Sequence, residues 1–114
     1  MDDAWYTEVA DELARCLIDA ARCADACERL LACSDGADSQ RIASAVIAPA
    51  AVANVLIELI DEPRPLIIAA SKVCRDTARD GAARLEALGE RPGLGDACAA
   101  LRACAESCDQ LLDA

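Results

Sequence analysis

The sequence predicts an all-α fold: an up-down-up-down antiparallel four-helix bundle, with residues 1–114 as one domain. Three observations carry this. Apolar residues recur at spacings of three and four along four separate stretches, the period of a helix with one buried face. The composition favours helix, with 55% hydrophobic residues drawn mostly from Ala, Leu, Ile, Val and Cys, 2% aromatics and no Phe. The stretches are separated only by short runs containing Gly or Pro, and short connections make consecutive helices antiparallel neighbours. A chain of 114 residues is enough for one compact domain and too short for two.

The first helix is expected over about residues 3–33. Val9, Leu13, Cys16, Ala20, Cys23, Cys27 and Leu30 step by four and three without a break, which is a heptad seam. Arg15, Asp19, Arg22, Asp25 and Arg29 fall off that seam and suit a solvated face. Ser34-Asp35-Gly36 stops the helix. The second helix is expected over about residues 38–60. Residues 42–57 carry no charge, and a helix apolar nearly all round is a buried one. The run is too short for a membrane span, which needs roughly 20 apolar residues. It predicts burial against the bundle on one side and against a second copy of the chain on the other, because large exposed apolar patches are rare on monomers. Pro49 should bend this helix, since it removes a backbone donor.

Asp61-Glu62-Pro63-Arg64-Pro65 reads as a turn, with Pro65 suited to a first helical position. The third helix follows over about residues 65–88, on the seam Ile67, Ser71, Cys74, Ala78, Gly81, Leu85, Leu88. Pro92-Gly93-Leu94-Gly95 breaks the chain again. Asp96 is a good N-cap for a fourth helix over about residues 96–112, with the seam Ala97, Leu101, Cys104, Cys108, Leu111. Trp5 and Tyr6 should close one end of the core. Ala20, Pro49, Ala53, Ser71, Ala78 and Gly81 are all small for seam positions, so either the helices approach closely or something fills the space.

The chemistry lies in the cysteines. There are eight, with no His, and six fall on inward seams. Residues four apart share a helix face, so Cys23 and Cys27 should meet Cys104 and Cys108 across the antiparallel first and fourth helices. Cys74 should lie nearer the level of Cys16, forming a second, smaller site at one end. A lone buried Cys behaves as a small hydrophobe, but thiols sharing continuous seams point to a soft metal: Cu(I), zinc or an iron–sulfur cluster. Cys33 and Cys98 lie off the seams at helix ends that an antiparallel pair brings together. A thiol near a helix N-terminus is acidified, so Cys98 could pass metal inwards or pair with Cys33 on oxidation.

The formal net charge of −10 argues against nucleic acid and against an anionic membrane surface as partners. The start Met1-Asp2-Asp3-Ala4 lacks the basic and apolar runs of a secretory signal, so a cytoplasmic protein with reduced thiols is expected. Enzyme signatures are missing: no Ser/His/Asp set, no Cys/His pair, no Glu-x-x-His motif and no glycine-rich phosphate loop.

Cys16-x6-Cys23-Ala24-Asp25-Ala26-Cys27 and Cys104-Ala105-Glu106-Ser107-Cys108 resemble the repeated C-x-x-C-A-x-x-C and C-A-E-x-C segments of the cysteine-rich four-helix-bundle proteins that include the bacterial cytosolic copper storage proteins. The resemblance covers most of the chain. It implies thiols pointing into the bundle, Cu(I) as the bound metal, and a homo-oligomer, commonly a tetramer. It also implies His residues at an open end, and this chain has none. Ile42, Val46, Pro49 and Ala53 stand where the second helix of such proteins would carry cysteines. The third helix keeps only Cys74, and Leu101 replaces another in the fourth. Six inward thiols would hold a few ions rather than a large load. The expectation is a cytosolic Cu(I)-binding protein for buffering, storage or sequestration, its partners being metal ions and a delivering copper chaperone. Two alternatives stand beside it. One is a specialised enzyme or accessory protein with an iron–sulfur cluster or other thiolate-bound metal beside an apolar pocket. The other is a metal-free structural or interaction module.

Overall fold

The computed structural model describes residues 3–114. Five α-helices follow one another: α1 (Asp3–Glu8), α2 (Ala10–Cys33), α3 (Ser39–Glu58), α4 (Arg64–Glu86) and α5 (Leu94–Asp113), with a 3-10 turn at Gly36–Asp38 before α3. There is no strand among the described residues. The four long helices form a ring: α2 packs against α3 and α5, and α4 against α3 and α5. This is the up-down-up-down bundle, drawn out to 50 × 19 × 17 Å.

The first predicted helix is divided at Val9, whose φ of −106° and ψ of 15° leave the helical region. The backbone ladder carries through it, since Val9 N–H donates to Trp5 O (2.9 Å) and Leu13 N–H donates to Val9 O (2.8 Å). Val9 therefore marks a change of direction rather than an end. The bend lets Trp5 turn under the bundle, where it is buried. Its ring lies 5.0 Å from that of Tyr6, edge-on, and Arg64 sits 5.3 Å over its face. Tyr6 donates its hydroxyl proton to Glu62 O. Trp5 and Tyr6 thus tie the N-terminal end to the α3–α4 turn.

The fourth helix starts at Leu94, two residues before the expected position, so Asp96 is not its N-cap. Gly93 takes that place with a φ of 85°, a conformation open to glycine. Asp96 falls in the first turn, where a carboxylate favours the positive end of the helix dipole.

Pro49 lies within α3. It has no N–H, so Ala45 O loses its usual donor four residues on. The facing residue on α4 is Gly81, and a Cβ placed there would lie 2.7 Å from Ala45 O and 2.9 Å from Pro49 Cγ. The hydrogen in that direction points at the deprived carbonyl, a Cα–H···O contact. At this level the small seam residues are thus explained by close helix approach. On the outer side of α3, Ile47 and Val55 are exposed. The sixteen-residue uncharged run alone is short for a bilayer, but Gly36–Glu58 as a whole is long and apolar enough to cross one by length and composition. Here its inner face, Ile42, Ala45, Val46, Pro49, Ala50, Ala53 and Leu56, is buried in the bundle.

Candidate metal centre

All six seam cysteines are buried, with Cys16, Cys23, Cys27, Cys104 and Cys108 at 0% exposure and Cys74 at 1%. They come from three helices: Cys16, Cys23 and Cys27 on α2, Cys74 on α4, Cys104 and Cys108 on α5. Helical spacing of seven and four keeps the α2 thiols on one face. The run from Cys16 to Cys27 spans about 16 Å at 1.5 Å per residue.

The thiols form one connected column. Cys16 Sγ lies 3.5 Å from Cys108 Sγ, and Cys74 Sγ lies 3.5 Å from Cys104 Sγ. The sulfurs of Cys74, Cys104 and Cys108 all lie within 4.8 Å of one another, a grouping able to hold a metal ion. Cys104 and Cys27 both lie close enough to Cys23 to raise its proton affinity, so the α2 thiols continue the group beyond Cys104. The sequence spacing had suggested two groups: Cys23 and Cys27 with Cys104 and Cys108, and Cys16 with Cys74 apart. The structure instead puts Cys74 at the centre and pairs Cys108 with Cys16.

Proton affinities follow from these contacts. Hydrogen bonds to Cys104 and Cys27, then burial, push the Cys23 thiol far above the ordinary range. Cys74 is raised by its bond to Cys104, against a smaller lowering from Cys108 and with burial adding to the rise. The bond to Cys104 pulls Cys108 down, but Cys16, Cys74 and burial together outweigh it. Cys16 and Cys27 behave oppositely. The bond from Cys108 lowers Cys16, and the bond from Cys23 lowers Cys27. Among the described residues the buried polar side chains are Ser71 and Ser107, and no basic side chain is buried. Thiolates formed here would lack a compensating charge, and a buried charge left unpaired is strongly unfavourable. Burial without a basic partner therefore favours protonated thiols, and a cation can replace those protons.

The fourth wall is apolar. Ile42, Val46, Pro49 and Ala53 of α3 are buried and carry no thiol. Leu101, at 0% exposure, fills the position one turn before Cys104.

Cys33 and Cys98 stand outside the column. Cys33 is exposed and borders a groove with Leu30, Pro92, Gly93 and Asp96. Cys98 is half-buried, its Sγ 3.8 Å from Ala82 O, and it lines a different groove with Leu85, Glu86 and Leu94. The expected acidification of Cys98 is reversed: burial, then Glu86, raise it. It sits in the second turn of α5, past the free N–H groups of the first turn.

Sequence reading missed Asp19 and Ser107. Asp19 was placed on the solvated face, yet its side chain is only 15% exposed and accepts a hydrogen bond from the buried Ser107 hydroxyl across the α2–α5 seam. The available signal was position alone: Asp19 follows Cys16 by three residues, and Ser107 precedes Cys108. Ser71, noted only for its small size, has a buried Oγ without a hydrogen-bond partner.

The model of one protein family, described as Csp, copper storage protein, matches residues 4–113. No curated protein and no solved structure matches the chain.

Proposed function

The chain belongs to the copper storage protein family, and on that premise we propose that it holds Cu(I) on Cys16, Cys23, Cys27, Cys74, Cys104 and Cys108 in the cytoplasm, for buffering, storage or sequestration. The observation that carries this is the continuity of the thiol column, with no sulfur exposed and neighbouring sulfurs 3.5 Å apart at Cys16–Cys108 and Cys74–Cys104. Soft thiolates select Cu(I) among available cations. Bridging thiolates at this separation let one ion pass to the next by exchanging a single ligand at a time. Each Cu(I) taken up displaces a proton and so leaves the charge of a site with no buried cation unchanged. Six sulfurs limit the load to a few ions, which suits buffering better than bulk storage. A copper chaperone is the delivering partner in this reading.

The test is metal content per chain on protein purified without oxygen, before and after excess Cu(I) and desalting. Several tightly held ions are expected, with Cys23→Ser plus Cys104→Ser removing most of them and leaving the helical circular dichroism unchanged. Iron with sulfide, or a single zinc, would move the case to a cluster-dependent or structural role. No metal of any kind would sink the proposal.

The reading extends to a homo-oligomer through α3. Its support is the uncharged outer face with Ile47 56% and Val55 49% exposed, too apolar to be left in water without a partner. Light scattering on the eluted protein decides it, and a monomer at micromolar concentration would refute it.

A further inference from the structure

A column with no exposed sulfur needs a way in. At the Cys27 end, Leu30, Ile42, Leu85 and Leu94 are all buried and form an apolar plug; at the Cys16 end Leu13, Ile67 and Leu111 do the same, with Trp5 beyond them. At the Cys16 end a cation would lose solvation for nothing in return. At the Cys27 end Cys98 borders the plug beside Leu85 and Leu94, but burial and then Glu86 raise its thiol, which disfavours the thiolate that a metal needs. The sides remain. Both seams of α3 are bordered by its uncharged run, and Gly81 seals one of them against Ala45 and Pro49. The α4–α5 seam is closed by Asp109, which is bound by both Arg75 and Arg79. Those guanidinium groups oppose an arriving cation.

The α2–α5 seam differs. Asp19 reaches inward there to Ser107, which is 3% exposed. Asp19 lies one turn from Cys16 and Ser107 is next to Cys108, so the contact lies over the closest pair of sulfurs between these two helices. The carboxylate's charge is felt at the Cys16 thiol. Arg22 approaches from the solvent side at only 4.0 Å and is 76% exposed, so it neutralises Asp19 weakly. One turn further along the same seam, Asp11, Glu12, Arg15, Gln110 and Asp113 border a surface groove of about 530 Å³. Inside, Ser71 Oγ is wholly buried and unpartnered. It stands one turn from Cys74 on the same inward seam, where its lone pairs can meet an incoming cation.

Resting on the copper reading, we propose that the Asp19–Ser107 contact is a side port through which Cu(I) reaches Cys16 and Cys108. The carboxylate attracts the cation, and the serine–aspartate bond opens to admit it. A bond from Cu(I) to a neutral ligand of the arriving cation breaks as a bond to Cys16 or Cys108 Sγ forms. The proton of that thiol passes to water, and no electron changes hands. Ions then move up the column towards Cys27.

The test is the anaerobic rate of loading of the full chain from a cationic Cu(I)–acetonitrile complex. It is followed by the luminescence of Cu(I)–thiolate shielded from water, with the final copper count measured separately. Asp19→Asn keeps the shape and the bond to Ser107 while removing the charge, and should slow loading by about ten-fold. Ser107→Ala removes the latch and should speed it, and Leu30→Ala, which thins the apolar plug, should leave it unchanged. All three should reach the same final count. Loading of Asp19→Asn at the unaltered rate, or acceleration by Leu30→Ala, would overturn the port and leave the copper reading intact. No uptake by the unaltered chain would overturn both.

Discussion

Replacing Gly81 by Ala tests the α3–α4 contact directly. In an isolated helix the change stabilises by about 1 kcal/mol, because Ala loses less backbone freedom. Here the new Cβ would lie 2.7 Å from Ala45 O and 2.9 Å from Pro49 Cγ. The carbonyl belongs to the backbone and the proline ring is stiff, so neither neighbour can turn aside. Overpacking of this kind costs about 1–3 kcal/mol. Pushing α3 outward also removes the Cα–H···O contact that serves Ala45 O, worth about 0.5–1 kcal/mol. The losses exceed the propensity gain, and the net expectation is a destabilisation of about 0.5–3 kcal/mol. At this chain length that lowers the melting temperature by about 2–12 °C. The assay is thermal and urea unfolding of the reduced, metal-free protein by circular dichroism. Pro49→Ala should soften the effect, since it restores an N–H for Ala45 O and removes Cγ, so the two changes should couple by about 1 kcal/mol in a double-mutant cycle. A Gly81→Ala protein as stable as the parent, or more so, would refute the reasoning.

Three further outcomes follow from the thiol column. Cys23, Cys74 and Cys108 have raised proton affinity when folded, so their contribution is complete below the unfolded thiol value of about 8.5 and is lost as pH rises above it. Cys16 and Cys27, which are lowered, act in the opposite sense but are fewer. The melting temperature of reduced, metal-free protein should therefore fall between about pH 8.5 and 10, and a flat profile there would contradict the assigned proton positions. With a bulky maleimide, the exposed Cys33 should react first and Cys98 slowly, while the six column thiols wait for unfolding; rapid labelling of all eight in the native state would rule out the buried column. Finally, Leu101→Cys adds a smaller thiol side chain one turn before Cys104 and should raise the copper count by one, at about 1–2 kcal/mol of stability from the lost methyl groups. An unchanged count would mean that this level lies outside the metal's reach.

The seams were legible because period alone decides which residues face inward. Cys16, Cys23, Cys27, Cys74, Cys104 and Cys108 share helix faces whatever the connections do. Their heights along the bundle were not legible. Whether Cys108 meets Cys16 or Cys23 depends on how far α5 slides along α2. The loop between α4 and α5 sets that slide, with positive φ at Gly89 and Gly93 and a start at Leu94 rather than at Asp96. The break at Val9 left no mark either, because the heptad pattern and the backbone ladder both run through it. Asp19 misled for a related reason. It lies at the edge of its seam, where the approach of α5 turns a surface carboxylate into a half-buried one. Gly81 was readable as small, but that it answers Pro49 across the interface belongs to tertiary contact alone.

The thiol-free wall gives the loaded bundle an uneven mechanical character. Bonds from metal to sulfur would staple α2, α4 and α5 into one rigid tripod, since only those helices carry column cysteines. Helix α3 would stay outside that covalent frame, attached by apolar contact and already deprived at Pro49 of one backbone hydrogen bond. Copper should therefore slow amide hydrogen exchange strongly in three helices and weakly in the fourth. The helix whose outer face offers Ile47 and Val55 would remain the most adaptable part of the filled protein.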